Sequence, residues 1–346
     1  MNKTGVYFGG ILALFAASPV AAAPPPKVLA PSEIVAAAPA AEWVDITPSD
    51  LLVMDLSAAK DGNGRRVVIQ LMPPPFSQGW VGNIRKLAAA RFWDTTSINR
   101  VQDNYVVQWG DANAEDKAKA KGLPPGLAKV PQKRYAASSN ANQYRPDDNN
   151  FRSMFSALGS LIAVESMVRA VNRAEGNPAT IDTQTYRADN YASFNGHLAG
   201  WPFAAIDSKA FWPVHCYGMV GVGRDMPPDT GTGAELYTVI GHAPRHLDRN
   251  IALIGRVIAG IEHLSSLPRG TGALGFYEKP EQRVTITSIR LGNEVAELPR
   301  YQYLSTESAT FARYADARAN RRDAFFIVPA GGADICNIPV PVRVVK

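Results

Sequence analysis

Two apolar, β-branched runs, Leu51–Leu56 (LLVMDL) and Arg66–Leu71 (RVVIQL), flank the polar stretch Lys60–Gly64 (KDGNG). Short apolar runs on either side of a Gly/Asn/Asp turn predict a β-hairpin. Ser97–Val101, Tyr105–Trp109, Gly218–Val222, Glu235–Ile240, Ile251–Val257 and Arg283–Ile289 have the same strand character. Elsewhere the period lengthens. Val81, Ile84, Leu87, Ala88 and Phe92 recur at helical spacing and predict an amphipathic helix over Val81–Trp93. A shorter helix is expected over Ile258–Leu267, with Gly260 weakening its start. Many short strands with Gly-rich connections predict a mainly-β fold: an eight-stranded closed antiparallel barrel with two capping helices. Closure leaves no strand edge unpaired.

The flanks carry other patterns. Residues 1–23 combine Lys3, an uncharged apolar run and small residues at Ala21 and Ala23, the shape of a cleavable secretory signal. The apolar run is short for a membrane span, which is the alternative. Residues 24–41 are rich in Ala and Pro and are expected to be an extended, poorly ordered linker. The barrel domain is expected over 42–291, with a long insertion at 112–212. That insertion is expected to be helical, because Phe151, Met154, Phe155, Leu158, Leu161, Ile162 and Met167 form an apolar stripe over Phe151–Arg173. Such a stripe packs on a neighbouring domain or receives a partner. Residues 292–346 form a C-terminal extension with a helix expected over Ser305–Arg318, capped by Ser305 with Glu307 in its first turn.

Composition narrows the chemistry. With 46% hydrophobic residues the chain can build a sizeable core, so global disorder is excluded. The 36 basic and 31 acidic side chains give a net charge of +5, a mild excess that removal of Lys3 lowers by one. In an exported protein this favours weak attraction to anionic surfaces over nucleic-acid binding. Arg318, Arg321 and Arg322 are read as a solvated face. Two cysteines exclude a Cys₄ zinc site, and no metal or cofactor is expected. His242 and His246 stand four apart, but Pro244 breaks the helix they would need. Gly270, Gly272 and Gly275 form a GxGxxG that follows a helix rather than a strand, so it is read as a loop. No GxSxG elbow is present. His215 and Cys216 are adjacent on an extended segment and point apart, a poor nucleophile–base pair. In an oxidising compartment Cys216 and Cys336 permit one bridge, the alternative being two buried thiols.

One segment, Ser97–Asp111 (SINRVQDNYVVQWGD), resembles the most characteristic stretch of cyclophilin-type peptidyl-prolyl isomerases: Phe-His-Arg, a turn, then Phe-Met-Ile-Gln-Gly-Gly-Asp. A second, Gly218–Val257, resembles the family's strand, its Gly-rich loop and the two strands that follow. The resemblance covers about Leu51–Asp111 and Gly218–Leu291. It implies a cyclophilin-like barrel, exported and carrying extra segments. It places Arg100 at the catalytic arginine, Gln108 at the glutamine beside it, and Tyr105 and Val106 at a phenylalanine and a methionine of the pocket. Leu236, Tyr237, Glu235, Ile251 and His246 fall at further substrate-binding positions. Several residues depart from the pattern: Asn99 replaces a histidine, Glu235 a glutamine, Tyr237 a phenylalanine, His246 a tryptophan and Ile251 a histidine, while Arg224 stands near a substrate-binding asparagine.

The implied activity is isomerisation of X–Pro bonds in folding polypeptides. The uncatalysed barrier is about 18–20 kcal/mol, and no covalent bond is made or broken. A site need only bind the twisted amide better than either planar form. Twisting makes the prolyl nitrogen basic, so a fixed guanidinium can donate to it there and not in the planar state. Arg100 fits that role, with Gln108 orienting it or holding the substrate backbone. Arg100 and Gln108 lie on consecutive strands across a short turn, which brings both side chains to one patch. The alternative is a binding or chaperone module that holds Pro-containing segments with little turnover. The expected location is the periplasm or outside the cell, with no integral membrane association after cleavage.

Overall fold

The computed structural model describes residues 28–59, 61–138, 189–206 and 210–345. Eight strands close an antiparallel barrel: β2 (Leu51–Leu56), β3 (Arg65–Leu71), β4 (Ser97–Val101), β5 (Val106–Gly110), β10 (Met219–Val222), β11 (Leu236–Val239), β12 (Leu253–Ala259) and β13 (Val284–Leu291). Their order around the barrel is β10-β11-β5-β4-β13-β2-β3-β12. The barrel and its capping helix α2 (Gln78–Ala89) share one core, in which Leu52, Met54, Val67, Ile69, Val107, Trp109 and Leu236 meet Trp80, Ile84 and Leu87.

The second expected helix is corrected. β12 continues to Ala259, and only Glu262–Ser265 is helical (α3). Gly260 breaks the run at φ +79°, where a Cβ would lie 2.0 Å from the Arg66 carbonyl oxygen. The chain turns there against β3, and the helix starts only at Glu262.

A second sheet, of order β1-β14-β15, joins β1 (Trp43–Ile46), β14 (Tyr301–Leu304) and β15 (Val342–Val344). Ile46 and Tyr301 from this sheet pack on Leu51 and Val68, which face outward from the barrel. The strands β2 and β3 are therefore covered on both faces, which is why their sequences run apolar without alternation.

The Ala/Pro-rich stretch expected as a poorly ordered linker contains a helix, α1 (Pro31–Ala36). Pro31 occupies the first turn, and Glu33 accepts from the Ala30 N–H at 2.8 Å. Ile34 and Trp43 supply the anchor, packed with Leu304, Phe311, Tyr314 and Ile338. The C-terminal helix, α4 (Ala309–Ala319), starts later than expected. Its cap is Ser308, whose hydroxyl accepts from the Phe311 N–H, whereas Ser305 donates to Glu307.

The described residues of the insertion include a 3₁₀ turn, Gln132–Tyr135, and a small sheet. β6 (Ala137–Ser138), β7 (Phe194–Leu198), β8 (Trp201–Ile206) and β9 (Ala210–Pro213) form a sheet of order β6-β9-β8-β7. The β7–β8 hairpin turns through Ala199 and Gly200, both at positive φ, with Leu198 paired to Trp201. The helix expected over Phe151–Arg173 and the signal over 1–23 lie outside the described residues.

Two devices tie these parts together. Arg256 on β12 donates to Gln70 on β3 at 2.8–3.0 Å and to the Gly200 carbonyl at 2.7 Å, while stacking over Trp201 and Tyr303. Barrel, insertion and outer sheet thus meet on one guanidinium, whose burial pulls its pKa down to about 10. The second device is a disulfide between Cys216, ahead of β10, and Cys336 in the extension. Beside it Ile335 enters the main core.

Candidate active site

Strand alternation sends Val107 and Trp109 of β5 and Leu236 of β11 into the barrel. Their neighbours Val106, Gln108, Tyr237 and Val239 therefore face outward. Register then builds the site. Arg100 pairs with Gln108, Gln108 with Tyr237, and Tyr237 with Gly221, so one row crosses β4, β5, β11 and β10. The missing side chain at Gly221 makes room for the Tyr237 ring, since a Cβ there would lie 2.3 Å from the phenol. Val106, Tyr237 and Val239 form an apolar cluster joined by Tyr105 and Ile251. His246 stacks on Tyr105 with centroids 6.5 Å apart and closes the rim.

Leu236 is corrected. It was expected in the pocket wall, but it is fully buried in the barrel interior. Adjacent residues on a strand cannot both face the cleft, and Tyr237 takes that side.

Arg100 stands at the edge of the apolar cluster. Its Nε donates to the Leu274 carbonyl at 2.7 Å, Nη1 to Gln108 Oε1 at 3.0 Å, and Nη2 to Gln102 Oε1. The guanidinium also lies 5.8 Å from the Tyr105 ring centroid and 5.4 Å from that of Phe276. Three of its five N–H groups are thereby committed among the described residues, and one remains on each terminal nitrogen. Burial lowers its pKa from the ordinary arginine value, with Tyr105 and Glu235 opposing, and the group stays charged at any working pH. Gln108 donates from Nε2 to Glu235 Oε1 at 2.6 Å. Arg224 bridges two loops at the mouth, donating to the carbonyls of Asn250 and Asp225.

Behind the cleft lies a buried polar chain that sequence reading missed. The Tyr237 hydroxyl meets His215 Nε2 at 2.8 Å, and His215 Nδ1 meets Asp248 Oδ1 at 2.8 Å. The neutral tautomer satisfying both contacts carries its proton on Nδ1 and accepts from the phenol. Arg245 donates to Asp248 at 2.6 Å and to Asp189 at 2.7 Å. Burial works to raise the pKa of Asp248, but the contacts with His215 and Arg245 outweigh it and hold the carboxyl below its ordinary range. Burial pushes the Tyr237 phenol far up, so it remains a donor. Asp248 lies within the Gly218–Val257 match, but nothing local marks His215 as its partner or Asp189 as a partner of Arg245. The Asp189 contact with Arg245 depends on how the insertion folds back.

Tyr237→Phe is therefore expected to lower the unfolding free energy by about 1–3 kcal/mol, because His215 Nε2 loses its partner in a dry site. The ring that lines the cleft stays, so turnover should change little. Urea denaturation and a peptide assay on the same variant check both halves.

The chain matches the model of the cyclophilin type peptidyl-prolyl cis-trans isomerase/CLD family over residues 60–291. It belongs to that family and is, by membership, a peptidyl-prolyl isomerase. A crystal structure of a cyclophilin from Hirschia baltica superposes with a TM-score of 0.55 at 19% identity, covering 87% of this chain and 93% of that one. It shares the fold. A Cryptosporidium parvum cyclophilin type peptidyl-prolyl cis-trans isomerase, crystallised in the presence of the dipeptide Ala-Pro, aligns at 9% identity and a TM-score of 0.34, covering 70% of this chain and 98% of that one. No curated protein matches the chain.

Proposed function

We propose that this isomerase acts on X–Pro bonds of folding polypeptides in an exported compartment, with Arg100 as the catalytic donor. The observation that carries the reading is a guanidinium fixed by Leu274, Gln102 and Gln108 at the edge of the apolar cluster of Tyr105, Val106, Tyr237 and Ile251. The proline ring lies against the apolar wall. As the amide twists, its nitrogen lone pair leaves conjugation with the carbonyl and becomes localised, and a free N–H of Arg100 donates to it. The planar amide offers no such acceptor, so the bond favours the transition state alone. The fixed guanidinium needs no reorganisation when the charge shifts.

Export is supported by the signal-shaped residues 1–23 and by the disulfide, which suits an oxidising compartment. Among the described residues no helix is long and apolar enough to cross a membrane. The competing reading, a Pro-peptide binder with weak turnover, is favoured by Ile251, Glu235 and His246, which depart from the family pattern at pocket positions. Exchange spectroscopy on a blocked Ala-Pro peptide separates the two. Accelerated cis–trans exchange at substoichiometric protein is the expected result. Binding shifts without acceleration would select the competing reading.

A further inference from the structure

Gln108 carries an amide with one donating and one accepting end. Its Nε2 donates to Glu235 Oε1 at 2.6 Å, and its Oε1 accepts from Arg100 Nη1 at 3.0 Å. The two bonds use opposite ends, so they require one of the two flip states. The other state would set the amide oxygen against the carboxylate and the NH₂ against the guanidinium. Ionised Glu235 only accepts and Arg100 only donates, so both ends exclude that state, and the carboxylate supplies a charge-assisted bond where a glutamine would supply a neutral one.

We infer that Glu235 is a positioning residue: as a carboxylate it locks the Gln108 amide so that its carbonyl holds Arg100 toward the cleft. This rests on the role proposed for Arg100. The hold is strongest while Glu235 is ionised. Burial raises its carboxyl pKa; the Gln108 contact lowers it, Glu115 after β5 raises it and Arg100 on β4 lowers it, leaving a net rise. Arg224, after β10, spends its head on loop carbonyls. The backbones of Gly110 and Gly223, which lie against Glu235, add no charge. Protonated Glu235 offers Nε2 only a neutral acceptor, so its hold on the Gln108 amide weakens. Activity therefore falls as pH drops through the raised Glu235 value, in a range where Arg100 does not titrate.

The test is the pH profile of kcat/KM for a blocked Ala-Pro peptide, from about pH 4.5 to 8, bracketing the ordinary glutamate value upward. Wild type is expected to show an acid limb. Glu235→Gln is expected to lack it and to lie about fivefold below the wild-type plateau, the difference between a charge-assisted and a neutral hydrogen bond. The side-chain NH₂ resonances of Gln108 should titrate along the same limb in wild type. A flat wild-type profile, an acid limb retained in Glu235→Gln, or Gln108 resonances that do not titrate overturns the inference and leaves the Arg100 mechanism standing. Absence of exchange catalysis by wild type at every pH overturns both. If Glu235→Gln does not fold, the wild-type resonance titration decides alone.

Discussion

Arg100→Ala is expected to lower kcat/KM for an Ala-Pro peptide about 10²–10³-fold, the cost of removing one preorganised donor aimed at developing charge. The loss should fall on kcat, because the planar substrate makes no bond to the guanidinium. The apolar wall of Val106, Tyr237 and Ile251 remains, so peptide affinity should change far less. Arg100→Lys should recover only part of the rate. An ammonium is a point donor and cannot satisfy Leu274, Gln102 and Gln108 together while reaching substrate. Exchange spectroscopy on the three proteins makes the comparison. Equal rates for Arg100→Ala and wild type would remove Arg100 from the chemistry.

Loss of the disulfide should have the largest effect on stability. Cys216 and Cys336 are 120 residues apart, so the bridge closes a long loop in the unfolded chain. For a loop of this length the chain-entropy account gives about 5 kcal/mol, at the upper end of measured values. The double serine variant is expected to unfold at markedly lower urea, with the barrel still formed in its absence. The effect should also reach the cleft. Cys216 follows His215, which holds the Tyr237 hydroxyl, and unfastening the tail frees the backbone on which His215 is carried. A raised KM with modest change in kcat is the expected signature, read by the same peptide assay. An unchanged urea midpoint would show that the packing of Ile335 already holds the tail.

What could be read from the sequence follows the physics of each element. The barrel strands were legible because short apolar runs bounded by turn residues have few other solutions. The hairpin of LLVMDL and RVVIQL was legible although both strands are covered on two faces. Consecutive strands across a short turn placed Arg100 beside Gln108, whereas Tyr105, Val106, Tyr237, Glu235, Ile251 and His246 were legible only through the family resemblance. Leu236 failed because its neighbour Tyr237 had been given the same side, against the alternation of a strand. The β7–β8 hairpin was missed because its turn is Ala199–Gly200, without the Asn or Asp that usually marks such a turn. The helix α1 was missed because composition hid one well-placed isoleucine. The chain from Tyr237 through His215 and Asp248 to Arg245 and Asp189 could not be read, since its members lie on separate loops and strands that only the folded chain brings together, Asp189 coming from the insertion.

The sheet that joins β1 to β14 sets a schedule for synthesis. Asp45 and Gln302, paired across it, are separated by 257 residues. At roughly 5–20 residues per second, Trp43–Ile46 waits on the order of tens of seconds for its ladder partner. Through that interval the nascent chain displays an unclaimed edge with two large apolar side chains, open to any other strand in reach. A ribosome stalled before Tyr301 releases a product whose edge is never claimed. Such a truncated product is expected to be both sticky and protease-sensitive, even with most of the barrel complete.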